Sequence, residues 1–343
     1  MSRRGPGNPT NPGGSAPRDP PARFPLAALP TPLQPAARLS AALAGPPILV
    51  KRDDLTGFAL GGNKARKLEY LLGDALATGS DVLLTGGGPE SNHCQAAAAA
   101  AQVAGLACEL VLYGDEPPRP GPNLELARRF GASVRFTGDP DRASVDGALA
   151  DRAEQLRAAG RRPYLVPRGG ATPLGAVGYA LAVQELAGQL AELDSEPEVV
   201  LVATGSCGTQ AGLVAGTVAA GRRWRVRGAT VSRPLAECRD RVLRLARGCA
   251  AVLSSPEPEE RDVDLVDARG PGYGIASPDG DAAASLAAAT EGLLLDPVFT
   301  AKAMAVLVTT VREGLPGPAV FVHTGGTPAA LQSTVRGCGD RQR

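Results

Sequence analysis

The run Val199-Val200-Leu201-Val202-Ala203 passes directly into Thr204-Gly205-Ser206-Cys207-Gly208-Thr209 and then into a stretch rich in Ala, Gly and Val. A continuous apolar run bounded by small residues fits a strand buried on both faces, which needs helices above and below its sheet. Strand, tight turn, helix in immediate succession points to an α/β architecture. The pattern recurs. Short apolar runs read as strands at Ile48–Lys51, Val82–Thr85, Glu109–Tyr113, Ser133–Phe136, Tyr164–Val166, Val226–Thr230 and Ala319–His323. Segments with helical spacing lie between many of them, at Lys64–Ala77, Ser91–Ala104, Asn123–Phe130, Ser144–Ala159 and Leu174–Leu190. The repetition predicts an open, mostly parallel sheet. Ligands of such sheets bind beyond the carboxyl ends of the strands, in the loops that enter helices.

Several classes of function are set aside on composition. Lys and Arg number 36 against 35 Asp and Glu, so no basic excess draws the chain to nucleic acid or an anionic membrane. Aromatics make up 3%, too few for platforms that stack single-stranded bases. No apolar run is long enough to span a bilayer. The six cysteines form no C-x-x-C pair and only two histidines could join them, which argues against a metal site. Without a signal peptide a disulfide framework is not expected either, and the cytoplasm is the expected compartment. Residues 1–20, rich in Pro, Gly and Arg, read as a disordered tail.

Three glycine-rich loops carry the chemistry. In Gly205-Ser206-Cys207-Gly208-Thr209 the N–H groups at the helix start and the hydroxyls of Ser206 and Thr209 can receive one phosphate. The spacing is neither that of nucleoside-triphosphate loops nor that of dinucleotide binders. The loop Thr85-Gly86-Gly87-Gly88-Pro89-Glu90-Ser91-Asn92-His93 is a second candidate anion site, suited to a substrate carboxylate. His323-Thr324-Gly325-Gly326-Thr327-Pro328 is a third turn into a helix, where Thr324 could offer one hydrogen bond. Taken alone, the first and third are equally plain turns between strand and helix, and for the second the better reading is that Ser91 caps the helix. Gly61-Gly62-Asn63-Lys64 places a lysine after two glycines, where the backbone can approach a ligand closely. Lysine supplies the amine of Schiff-base chemistry when its surroundings lower its pKa, although most lysines are solvated surface charges.

Together the motifs resemble one family. Lys51-Arg52-Asp53-Asp54 with Gly61-Gly62-Asn63-Lys64-Ala65-Arg66-Lys67-Leu68-Glu69 is similar to the Schiff-base segment of D-cysteine desulfhydrases and 1-aminocyclopropane-1-carboxylate deaminases. Ser91-Asn92-His93, Gly205–Thr209, Pro271-Gly272-Tyr273-Gly274, Leu295-Asp296-Pro297 and His323-Thr324-Gly325-Gly326 follow in the family's order, so the resemblance runs from about Arg23 to about Leu331. It implies the tryptophan-synthase β-subunit-like fold, fold type II, with two domains of open twisted sheets. The larger domain would comprise 21–65 and 175–343, and a smaller mobile one 66–174.

The resemblance further implies pyridoxal 5′-phosphate held on Lys64, with Gly205, Ser206, Cys207, Gly208 and Thr209 around its phosphate. Asn92 would bond the ring oxygen, and Thr324 would face the pyridine nitrogen. Ser91, Asn92 and His93 would receive the carboxylate of a small amino acid, with Tyr273 and Phe299 near the substrate. Lys64, Ser91 and Tyr273 would be the catalytic groups, and a homodimer the usual form. The implied reaction is α,β-elimination to a 2-keto acid and ammonia, with sulfide released from D-cysteine. The deaminases have Glu and Leu where this chain has Thr300 and Thr324, so the desulfhydrase branch is the nearer. Two positions depart from the family: Phe299 replaces a Tyr, and Glu90 replaces a Gln beside the carboxylate site. Phe carries no exchangeable proton, and Glu90 adds a negative charge unless it is protonated or turned away. Racemisation, β-replacement, cyclopropane deamination and a catalytically weakened cofactor-binding protein are the other readings of the same motifs.

Overall fold

The computed structural model describes residues 21–332, and the tail expected at 1–20 lies outside them. Ten strands are described: β1 (Leu33–Pro35), β2 (Ile48–Lys51), β3 (Val82–Gly87), β4 (Ala107–Leu112), β5 (Ser133–Phe136), β6 (Pro163–Val166), β7 (Val199–Thr204), β8 (Arg225–Thr230), β9 (Asp264–Asp267) and β10 (Ala319–Val322). They form a six-stranded sheet in the order β1-β2-β10-β7-β8-β9 and a four-stranded sheet in the order β5-β4-β3-β6. All pairings are parallel except that of β1 with β2. The strand predicted from the continuous apolar run, β7, is buried at every residue and sits between β10 and β8. Strands β1 and β9 are additions to the sequence-based expectation. Both are edge strands of the six-stranded sheet, too short and too polar to show an apolar run.

Among the described residues ten α-helices connect the strands: α1 (Ala37–Ala42), α2 (Asn63–Ala77), α3 (Asn92–Val103), α4 (Pro122–Arg129), α5 (Ser144–Ala158), α6 (Pro173–Glu192), α7 (Gly208–Ala219), α8 (Leu235–Leu253), α9 (Pro278–Glu291) and α10 (Thr300–Arg312). Small residues bring three of them together backbone to backbone. A Cβ on Gly212 of α7 would lie 2.3 Å from the Ala176 carbonyl of α6, and one on Gly178 of α6 would lie 2.1 Å from the Arg66 carbonyl of α2. No side chain fits in either gap. The Ala- and Gly-rich character of α7 thus serves to set the start of α2, which carries Lys64, beside the start of α7.

A buried ionic cluster ties this corner together. Arg66 of α2 donates through Nε to Asp53 Oδ2 at 2.9 Å and through Nη1 to Glu185 Oε2 of α6 at 3.0 Å. Lys51, at the end of β2, reaches Glu185 at 2.5 Å, and the Tyr179 hydroxyl donates to Asp53 at 2.5 Å. Burial works against the Glu185 carboxylate, but the hydrogen bonds and charges of Arg66 and Lys51 prevail and hold its pKa down at about 2. Lys51-Arg52-Asp53-Asp54 therefore acts in part as a structural clasp on α2.

Candidate active site

The carboxyl ends of β3, β7, β8 and β10 open on one cavity of about 1010 Å³, counting the space at its mouth. Both sheets contribute to its wall, and so do all three glycine-rich loops. Lys64, Ser91, Asn92, His93, Gly205, Ser206, Cys207, Thr209, Tyr273, Phe299 and Thr324 line it, while Gly208 stands just behind, at the first turn of α7. Residues from both ends of the described chain, from Asn63 to Gly326, meet here because parallel strands deliver all their loops to one edge.

Lys64 stands in the first turn of α2, partly exposed to the cavity and walled off elsewhere. Its Nζ donates to Asn63 Oδ1 at 2.6 Å, and Asn63 Nδ2 donates to Thr209 Oγ1 at 3.0 Å. Asn63, which the sequence did not single out, thus links the lysine to the loop before α7. Burial pushes the Lys64 ammonium down to about 8, and the nearby negative charge of Asp296 limits the fall. The backbone before it needs glycine. Gly62 has φ +52°, and a Cβ there would lie 2.2 Å from the Thr324 carbonyl.

The loop before α7 is shaped to curl. Cys207 takes a left-handed conformation at φ 74°, a combination that turns successive N–H groups to one side and favours an anion. A Cβ on Gly205 would meet the Phe299 ring at 2.9 Å, and one on Gly208 would meet Lys67 Nζ at 2.8 Å. Lys67, also missed in the sequence, is 1% exposed and donates to the Gly169 carbonyl at 2.7 Å. Burial, reinforced by the charge of Lys64, pushes its pKa well below the ordinary lysine value. The signal for it was its spacing, three residues after Lys64 and so on the same helical face. An anion in the loop would relieve its electrostatic isolation. The narrow glycine cradle, the N–H groups of α7 and a buried amine beneath them, which a bound anion would favour in its protonated form, fit a phosphate group.

At the second loop Ser91 is the N-cap of α3, its Oγ accepting from Cys94 N at 3.3 Å. Asn92 Oδ1 accepts from Asn123 Nδ2 at 2.9 Å. The Thr85 hydroxyl donates to the Val166 carbonyl at 2.7 Å, so its oxygen accepts from His93 Nε2 at 2.9 Å. That fixes the proton on Nε2 and leaves the buried Nδ1 without a partner among the described residues. Burial, with the charges of Lys64 and Lys67, keeps the imidazole neutral, its pKa well below the ordinary value. Glu90 is turned toward the start of α4, where its Oε2 accepts from Asn123 N at 3.3 Å. The charge that the sequence placed beside the carboxylate site is thereby directed to a helix N-terminus.

The remaining residues form the roof. Phe299 packs edge-on to Tyr273 with ring centroids 6.1 Å apart. Thr324 is buried, and its hydroxyl makes no hydrogen bond among the described residues. Thr300 does not line the cavity. It is fully buried and donates through Oγ1 to Asp296 Oδ2 at 2.7 Å, closing the first turn of α10.

The geometry finds parallels in known proteins. The family model of pyridoxal-phosphate dependent enzymes matches residues 25–325. D-Cysteine desulfhydrase of Salmonella choleraesuis (strain SC-B67) is 41% identical over 322 residues, covering 90% of this chain and 95% of the relative. The enzyme of the same name from Salmonella paratyphi B is 40% identical over the same shares. A crystal structure of an ACC deaminase homologue superimposes with TM-score 0.86 at 35% identity, covering 92% of this chain and 95% of the other. That of a threonine deaminase from T.th. gives 0.62 at 23% identity, over 86% and 92%, and shares the fold. The fold type II architecture expected from the motifs, and the family they resemble, are borne out.

Proposed function

Because the chain belongs to the family of pyridoxal-phosphate dependent enzymes, we propose that it is a D-cysteine desulfhydrase-like lyase that takes a β-substituted amino acid to a 2-keto acid and ammonia. The observation that carries this is the meeting, in one cavity, of a lysine of lowered pKa with two helix N-termini. When bound, pyridoxal phosphate supplies an electron sink that acidifies the α-hydrogen of an attached amino acid. Lys64 would hold it, the N–H groups and hydroxyls of Gly205–Thr209 would take its phosphate, and Lys67 would balance the charge from below. Asn92, its Oδ1 engaged, keeps Nδ2 to donate to the ring oxygen, and Thr324 would meet the pyridine nitrogen.

The substrate carboxylate belongs at the N-terminus of α3. There the Ser91 hydroxyl and the N–H groups of Asn92 and His93 would receive it, since the neutral His93 ring brings no charge. Lys64, in the unprotonated form that its lowered pKa makes easier to reach, can take the α-proton at Nζ, with Ser91 Oγ as the group on the other side. Tyr273 and Phe299 would cover the substrate and exclude water. The larger domain would comprise 21–65 and 175–343 and the smaller 66–174, a division supported by the segregation of strands between the two sheets. We place the enzyme in the cytoplasm as a homodimer. Free thiols at Cys94, Cys108, Cys207, Cys238 and Cys249 suit a reducing compartment, and the dimer is the usual form of the family.

The test is a comparison of D-cysteine with 1-aminocyclopropane-1-carboxylate. The latter should be turned over about 10²-fold or more slowly, because no positioned acid stands where deaminases have Glu. In this chain that position, Thr300, is engaged with Asp296. Comparable turnover of the two compounds defeats the desulfhydrase reading.

Two further outcomes follow from the site. Below pH about 8 the Lys64 amine is protonated and cannot attack a carbonyl. The rate at which apoenzyme regains covalently held cofactor should rise with pH and level off above about 8. A rate that climbs unchecked into the ordinary lysine range contradicts the lowered pKa. Phe299→Tyr should raise keto-acid release from D-cysteine without loss of cofactor, by up to the 10²–10⁴-fold roughly expected of a positioned proton donor. Rate, substrate preference and spectrum all unchanged would show that position 299 has no part in the reaction.

A further inference from the structure

Among the described residues, one cation in the cavity wall, Arg142, makes neither an ion pair nor a hydrogen bond with its side chain. Arg168 pairs with Asp146 at 2.6 Å, Arg233 pairs with Glu237, and Lys64 donates to Asn63. The Arg142 guanidinium makes no hydrogen bond or ion pair among the described residues. Its central carbon instead lies 3.9 Å from the centroid of the Tyr273 ring. Arg142 comes from the loop between β5 and α5, and Tyr273 from the loop between β9 and α9, so the two sheets each supply one half of the contact. Both halves are anchored. The Arg142 carbonyl accepts from Arg168 Nη1 at 2.8 Å. The Tyr273 loop is held by Lys302, whose Nζ donates to the Arg269 and Gly272 carbonyls at 2.7 and 2.9 Å.

A guanidinium stacked on a ring keeps its N–H donors free at its edge, ready for a bidentate anion. The acids in the same wall are engaged elsewhere. Glu90 faces α4, and Asp296 accepts from Val298 N, Phe299 N and Thr300 N at the start of α10. The two helix N-termini already account for a phosphate and a carboxylate. We propose that Arg142 is a specificity-determining residue that reads a further anionic group, carried on the β-substituent of the substrate. The site then favours amino acids whose β-substituent already carries a negative charge before it leaves, such as a sulfate ester or a phosphate ester. It serves neutral substituents less well and disfavours cationic ones by repulsion. This rests on the elimination reading of the same cavity.

The experiment compares wild-type holoenzyme with Arg142→Gln and Arg142→Lys on two D-amino acids that differ in charge, D-serine O-sulfate and 3-chloro-D-alanine. Arg142→Gln should lose about 10- to 100-fold in kcat/KM on the sulfate, the worth of a hydrogen-bonded charge contact, and little on the chloride. Arg142→Lys should recover part of the loss, since it restores the charge without the fork. Equal losses on both compounds, or no loss on the sulfate, overturn the proposal. If wild-type enzyme releases keto acid from neither compound, it is the elimination reading that fails. Binding of the same two compounds, followed by cofactor fluorescence, then decides the role of Arg142. A preference for the sulfate that vanishes in Arg142→Gln sustains it, and equal binding ends it.

Discussion

Lys64→Ala should lose keto-acid release and the visible absorbance of the bound cofactor together, while keeping the fold. Removing a positioned proton-transfer group alone lowers a rate by about 10²–10⁴-fold, and here the same amine would also hold the cofactor, so the loss should lie at or beyond the upper end. The fold should survive because Lys64 contributes one hydrogen bond, to Asn63, and its ammonium is disfavoured by burial in the native state. Far-ultraviolet circular dichroism would establish the intact fold. Absorbance and keto-acid assays on the same sample would supply the rest. A variant that keeps both the visible band and the activity places the chemistry on another residue.

Arg66→Met should destabilise the protein by about 3–5 kcal/mol, the usual consequence of removing one partner from a buried ion pair. Arg66 is 2% exposed, and without it the equally buried Asp53 keeps only the hydroxyls of Thr31 and Tyr179, at 2.7 and 2.5 Å. Glu185 would keep Lys51. Denaturant unfolding measures the difference directly. A loss below about 1 kcal/mol, typical of surface pairs, would mean that the clasp on α2 is weaker than its geometry. The effect reaches the site, because Arg66 stands two residues after Lys64 on the same helix. Loosened anchoring should therefore also weaken cofactor retention.

What the sequence made legible is local in origin. β7 and its loop could be read because burial on both faces demands continuous apolar residues and the following turn demands small ones. Edge strands carry no such demand. β9 carries Asp264, which pairs with Arg227 of β8, and the exposed Asp267, and it pairs on one side only, so nothing in Asp264–Asp267 announces a strand. Residues that act through distant partners were equally silent. Arg66 lies 119 positions from Glu185, and Arg142 far from Tyr273, so neither pairing leaves a spacing to recognise. Glu90 shows the converse. Its charge was legible, but its direction was set by the start of α4, far along the chain. Thr300 likewise reads as a position near the chemistry, while its hydroxyl serves the turn at Asp296.

Two lysines, the half-buried Lys64 and the buried Lys67, stand close together beside the loop before α7, and only Lys64 reaches the cavity. Borohydride reduction of the holoenzyme followed by peptide mapping distinguishes them. The cofactor should be found fixed to Lys64, with Lys67 unmodified. A label on Lys67, or on any other residue, would contradict the assignment from which the proposed mechanism proceeds.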